Sequence, residues 1–222
     1  MREVNDVVIV GGGAAGCSVA YYLALAGVRS TIIEREGIGS QASGFSAGGV
    51  NPLQGAGVPG PLGPLAMESY RMHRELAAVL EADTGVDYEW RFLSQVKVAF
   101  GEPDFPELQE TVDLFTAADG FEAGWLEREE LLKLEPRVAP DVLRGVWTSG
   151  NASLDSYKYT LALVQAAEKL GARVRSGTVR GLERTNGRIS GVLLEDGVVG
   201  CGQVVLAMGP WSRKAEPWLD HY

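Results

Sequence analysis

Gly11, Gly13 and Gly16 stand in a G-x-G-x-x-G spacing directly after the apolar run Val7-Val8-Ile9-Val10, and Glu34 closes a second apolar run eighteen residues beyond Gly16. These residue types at these intervals suit a dinucleotide. Gly11 permits a tight turn, Gly13 lets the backbone approach a pyrophosphate, and Gly16 lets a helix pack closely on a strand, while the helix that follows offers its first amides to phosphate. Glu34 suits a ribose hydroxyl pair. Its carboxylate would repel a 2′-phosphate, which favours FAD or NAD over NADP.

Around this unit the chain reads as an ordinary globular protein. Its 222 residues are enough for one large domain or two modest ones, and 45% hydrophobic with 22% charged residues gives no sign of disorder. A formal net charge of −9, with no Lys/Arg cluster longer than a pair, argues against a nucleic-acid partner. Cys17 and Cys201 are the two thiols and have no redox-pair spacing, so Cys17 is expected to pack as a small apolar residue. No metal-ligand set is expected. Val7 to Val28 carries no charge and is long enough to span a bilayer, yet Gly11 to Gly13 would interrupt a spanning helix, and Glu3 and Asp6 are wrong for a signal-peptide flank. A buried strand, turn and helix explain those residues better, and the default compartment is the cytoplasm.

The elements that must position the glycines follow from periodicity. A helix is expected over Ala15–Ala26, stopped by Gly27, then a strand at Thr31-Ile32-Ile33. From Gly37 to Pro64 the sequence is Gly-, Ser-, Ala- and Pro-rich, which marks a long loop. An amphipathic helix over Leu65–Asp83, a strand-like stretch over Tyr88–Phe100, a helix over Glu107–Ala118 and another over Trp125–Leu132 form a middle layer. The pattern then returns to α/β, with a helix over Tyr157–Leu170, strands at Arg173–Arg175, Val179–Glu183 and Ile189–Leu194, and a buried strand at Gln203–Ala207 that runs into Gly209-Pro210-Trp211-Ser212. The middle layer therefore reads as an insertion.

Several motifs in order carry a family resemblance. They are Val8-Ile9-Val10-Gly11-Gly12-Gly13-Ala14-Ala15-Gly16, Glu34-Arg35, Ala42-Ser43-Gly44-Phe45-Ser46-Ala47-Gly48-Gly49, Leu131-Leu132-Lys133-Leu134-Glu135-Pro136 and Val205-Leu206-Ala207-Met208-Gly209-Pro210-Trp211-Ser212. Together they cover nearly the whole chain, which resembles the D-amino-acid oxidase, glycine oxidase and sarcosine oxidase group of FAD-dependent oxidoreductases. The fold this implies is α/β, a Rossmann-like FAD-binding domain of the glutathione-reductase type (1–84 and 150–222) with an inserted, partial α+β substrate domain (85–149). By the same resemblance the Ala14 and Ala15 amides would meet the pyrophosphate, Glu34 the adenosine ribose, and Arg35 the adenine end. Ala42 and Ser43 would flank the cofactor, Ala47, Gly48 and Gly49 would run past the flavin, Val179 would hold the adenine through its backbone, and Gly209 and Trp211 would form the second dinucleotide contact. Ser46 stands where relatives with covalent flavin carry a histidine, which implies noncovalent FAD.

The activity implied is oxidation of the C–N bond of a small amine or amino acid. A hydride leaves the carbon next to the nitrogen for flavin N5, and the imine hydrolyses, so the protein supplies orientation and electrostatics. No catalytic side chain is assigned. His73 falls in a charged helical stretch and is expected to be solvated, His221 is also left out, and Asn51 and Gln54 are expected to cap a loop. Oxygen, a quinone or a carrier protein would take the electrons. Relatives continue well beyond the Gly-Pro-Trp-Ser motif whereas this chain stops at Tyr222, so an incomplete sheet edge and reliance on an oligomer or partner chain are expected. Two other readings stay open: a noncatalytic remnant that binds FAD or ADP, and a nicotinamide-dependent dehydrogenase built on the same first unit.

Overall fold

The computed structural model describes residues 5–55 and 58–219. Cα proximity divides the chain into two units, one of Met1–Gly48, Ala77–Tyr88 and Asp155–Tyr222 and one of Gly49–Leu76 and Glu89–Leu154. His221 lies outside the described residues.

In the first unit, β1 (Asn5–Val10) leads into α1 (Ala14–Leu25) and β2 (Ser30–Glu34). Val8 and Ile9 are fully buried, as expected for a strand covered on both faces, and each such side chain contributes roughly 1.5–3 kcal/mol. α1 is closed by Gly27, whose amide donates to Ala24 O at 3.0 Å. Cys17 is buried, and burial pushes its thiol pKa up to about 12, as befits a small apolar packing residue.

The second unit contains β3 (Gly49–Val50), most of α2 (Gly63–Thr84, divided after Leu76), β4 (Arg91–Ala99), α3 (Phe105–Thr116), β5 (Glu122–Glu127), α4 (Arg128–Leu134) and β6 (Arg144–Ser153). β6 is the central strand, antiparallel to β3, β4 and β5. It supports a core in which Leu53, Tyr70, Phe115, Phe121 and Ala152 pack together. Three expectations change here. The insertion begins at Gly49 rather than 85 because Gly49 and Val50 pair with Ser153 and Ala152, and Leu53 and Tyr70 join that core. Trp125–Glu127 is strand rather than helix, since it pairs with Val146–Arg144, and α4 starts only at Arg128, where the Glu130 carboxylate accepts the Glu127 amide at 3.1 Å. His73 is half-buried and stacked on Trp90, with ring centroids 6.2 Å apart, rather than solvated, and desolvation lowers its pKa.

The chain returns to the first unit through α5 (Ser156–Lys169), whose N-terminal Asp155 carboxylate accepts the Lys158 amide at 2.9 Å. α5 packs on α1. β7 (Arg173–Ser176), β8 (Val179–Thr185), β9 (Arg188–Leu194) and β10 (Gly197–Leu206) follow. They complete a six-stranded sheet in the order β7-β2-β1-β10-β9-β8, parallel from β7 to β10 and antiparallel beyond. The last buried strand, expected at Gln203–Ala207, starts earlier, at Gly197. The first half of β10 pairs with β9, and its second half runs parallel to β1, with Val205 opposite Ile9. Gly209–Trp218 then forms a 3-10 segment. Among the described residues no helix is long and apolar enough to cross a membrane.

Candidate functional site

β1, β2 and β10 are parallel neighbours, so the residues that follow them emerge at one end of the sheet. Gly11 follows β1 with φ +111°, and its amide donates to Ile33 O at 2.9 Å. A Cβ there would stand 2.4 Å from Ala207 O, so glycine is required by both conformation and space. Gly16 is required by space alone: its Cβ would stand 2.0 Å from Gly11 O. The turn and the first helical residues are thus as close to the sheet as backbone permits.

Above this turn lies a cleft of about 360 Å³, within the usual range for small-molecule sites. Glu34 forms part of its wall. Its carboxylate accepts the Gly12 amide at 2.7 Å and the Glu36 amide at 3.0 Å, fixing the turn after β2 to the glycine turn. Ser43 reaches in from the following loop, and its hydroxyl accepts the Ala14 amide at 3.0 Å, capping α1 from a distance because Gly13 has no side chain to do so. Ser40, also on the wall, has a buried hydroxyl with no hydrogen-bond partner among the described residues. Arg35, Arg180 and Lys214 bring positive charge to the lining. Arg35 lies over the Trp211 ring, 4.5 Å from its centroid, and pairs with Glu36 at 3.2 Å.

A family model described as FAD dependent oxidoreductase (DAO) matches residues 6–220. The chain belongs to that family. Among curated relatives, glycine oxidase of Bacillus licheniformis is 29% identical over 213 residues, covering 96% of this chain and 56% of the relative. The bifunctional protein ThiO/ThiG of Synechocystis sp. is 28% identical over 220 residues, covering 98% of this chain and 32% of the relative. The crystal structure of glycine oxidase from Geobacillus kaustophilus superposes with a TM-score of 0.89 at 26% identity, covering 98% of this chain and 58% of that one. This member of the FAD-dependent oxidoreductase family therefore spans between about a third and three fifths of the length of these relatives.

Of the site residues expected from sequence, Gly11, Gly13, Ala15, Glu34, Arg35, Ala42, Ser43, Val179, Gly209 and Trp211 line the one cleft. Ala14 and Gly16 stand behind it, the first bound by Ser43 and the second against Gly11. Ala47, Gly48 and Gly49 are not in the lining. The Gly48 amide donates to Ser46 Oγ at 3.2 Å, the Ser156 hydroxyl donates to Ser46 O at 3.0 Å, and Gly49 opens β3 in the other unit. Asn51 caps its loop, its side-chain oxygen accepting the Leu53 and Gln54 amides at 3.0 and 3.2 Å, whereas the Gln54 side chain leaves the loop and donates to Thr111 Oγ1 at 3.1 Å.

Sequence reasoning missed Gly12, Lys214 and Trp218. Gly12 carried a signal in its place between the motif glycines, since a Cβ there would lie 2.6 Å from Ile38 Cδ1 and 3.2 Å from Glu34 Cβ. Lys214 and Trp218 join the lining through 3-10 geometry that no periodicity announces.

Proposed function

We propose that this chain forms the FAD-binding part of an oxidoreductase that oxidises the C–N bond of a small amine or amino acid. One observation carries the reading: segments that follow β1 and β2, and one that follows β10 more than 170 residues later, converge on one cleft that combines bare glycine backbone, a ribose-type carboxylate and cationic groups. The cleft fits such a group on its own evidence. Gly13 leaves half-buried backbone where a Cβ would crowd the Ser43 hydroxyl, and the Ser40 hydroxyl, on the wall, lacks a partner among the described residues.

Gly11 to Gly13 and the start of α1 would hold the pyrophosphate, where the helix N-terminus favours an anion. Glu34 would accept from the ribose, and Ala42, Ser43, Val179, Gly209 and Trp211 would contact the remainder. Ala47, Gly48 and Gly49 belong to this proposal only as a flavin-side path, since the cleft lining does not include them. When bound, FAD supplies the acceptor for a hydride from the amine-bearing carbon. Ser46 at the position before Ala47-Gly48 supports noncovalent binding. Several relatives are glycine oxidases, which supports a small amino acid or amine as substrate. Oxygen or another electron acceptor, oligomeric assembly and a cytoplasmic location complete the reading.

The test is the visible absorption spectrum of the purified chain before and after incubation with FAD and desalting. Retained, acid-releasable flavin is the expected result. A folded sample that retains NAD and ignores FAD would favour the dehydrogenase reading instead.

A further inference from the structure

Arg35 follows β2 and Trp211 follows β10, and these two strands lie on opposite sides of β1. Neighbouring strands are about 4.8 Å apart, so the two positions start roughly 10 Å from each other with the end of β1 between them. Yet the Arg35 guanidinium carbon sits 4.5 Å from the Trp211 ring centroid. The contact therefore crosses the C-terminal end of β1, the point at which the Gly11–Gly13 turn begins. Both ends of the bridge are held. The Glu34 carboxylate fixes the Glu36 amide on one side, and on the other the Trp211 amide donates to Met208 O at 3.1 Å within a segment whose Trp218 packs on the Val179 and Val199 core.

We infer that Arg35 and Trp211 form a strap across the dinucleotide cleft and act as positioning residues that set the rate at which a bound dinucleotide leaves. This rests on the FAD-binding reading of the same cleft and goes beyond it: the two side chains act as a pair, through each other, as well as singly on a ligand. A cation over an indole ring is among the stronger contacts of its class, and it gains when water is excluded. Opening the strap breaks it.

The test is a cycle of Arg35→Ala, Trp211→Phe and the double variant, each loaded with FAD, with release followed by the recovery of free-flavin fluorescence after dilution into a trap. Trp211→Phe keeps a ring in place and so guards against loss of the segment, while Arg35→Lys keeps a cation. Each single variant is expected to speed release several-fold, Arg35→Ala by about tenfold. The double variant should be no faster than Arg35→Ala alone, and Arg35→Lys should recover part of the loss. Effects that multiply in the double variant, or release from Arg35→Ala at the unaltered rate, would overturn the strap while leaving FAD binding intact. An unaltered chain that retains no FAD would overturn the proposed function, and the strap with it.

Discussion

The two units solve the problem of holding a sheet together in different ways. In the first, the working end of the parallel strands β1, β2 and β10 is defined by close contacts: Gly11 against Ala207, Gly16 against Gly11, and the Glu34 carboxylate on the Gly12 amide. In the second, β6 pairs with β3, β4 and β5, which precede it by very different lengths of chain, and the interior includes polar groups. Asn151 is almost fully buried and donates to Gln95 at 2.9 Å, and the Gln54 amide and Lys97 ammonium each donate to Thr111 at 3.1 Å. Close approach of backbone defines the working end of the first sheet, and pairing to one central strand defines the second. The first unit should therefore fail when a close backbone approach is blocked, and the second when a single pairing geometry is disturbed.

The largest expected effect is in the first unit. Gly16→Val would place a side chain where a Cβ alone already meets Gly11 O at 2.0 Å and Ala207 Cβ at 3.3 Å, with no flexible group to yield. A loss of about 3 kcal/mol or more is expected, read as a drop in Tm with no flavin retained. In the second unit the corresponding position is Gly150, at φ +94°, where a Cβ would stand 2.6 Å from both Gly120 O and Phe121 Cδ1 and the carbonyl accepts the Tyr70 hydroxyl. Gly150→Ala should cost about 2 kcal/mol through left-handed strain and crowding. Flavin retention by this variant should persist. If it disappears along with the thermal shift, the two units do not fail separately and the contrast collapses.

The same contrast explains what could be read from sequence. The β1-turn-α1 unit, β2 and the strand before Gly209 were readable because residues adjacent in the chain set them, and ten of the fifteen expected site residues line the cleft. β6 escaped notice because Gly145, Ser149, Gly150 and Asn151 are poor strand formers, held in place by pairing on both sides. Trp125–Glu127 looked helical for the same reason: its helix-forming neighbours are local, whereas its pairing with Val146–Arg144 is not. Lys214 and Trp218 reach the cleft only because a 3-10 segment turns back over the β10 end, a geometry set by Met208 and Gly209 rather than by any repeat.

Gly13 separates binding from folding within the first unit. Its backbone is ordinary, at φ −81°, and its Cβ would meet only the Ser43 hydroxyl, at 2.9 Å. Gly13→Val should therefore displace Ser43 and crowd the phosphate position while the helix and sheet survive. Flavin content after desalting should fall to the baseline, with a change in stability of about 1 kcal/mol, the scale of a lost helix cap. Unchanged flavin content would remove the glycine turn from the site. A collapse as deep as that of Gly16→Val would mean that Gly13 too is structural.

The smallest effect expected is also electrostatic in kind. Of the cations on the cleft wall, Arg35 is paired with Glu36 and Arg180 with Glu195, whereas Lys214 has no ion pair among the described residues. A ligand phosphate would be its first partner. Because Lys214 is exposed, that attraction is worth about 0.5 kcal/mol and is screened by salt. Lys214→Gln should weaken FAD binding about twofold at low ionic strength, measured by titration of flavin fluorescence, and the difference from the unaltered chain should shrink as salt approaches 1 M. A twofold loss that ignores salt would place Lys214 in the packing of the 3-10 segment instead, making that wall of the cleft, like Gly11 and Gly16, a matter of shape rather than charge.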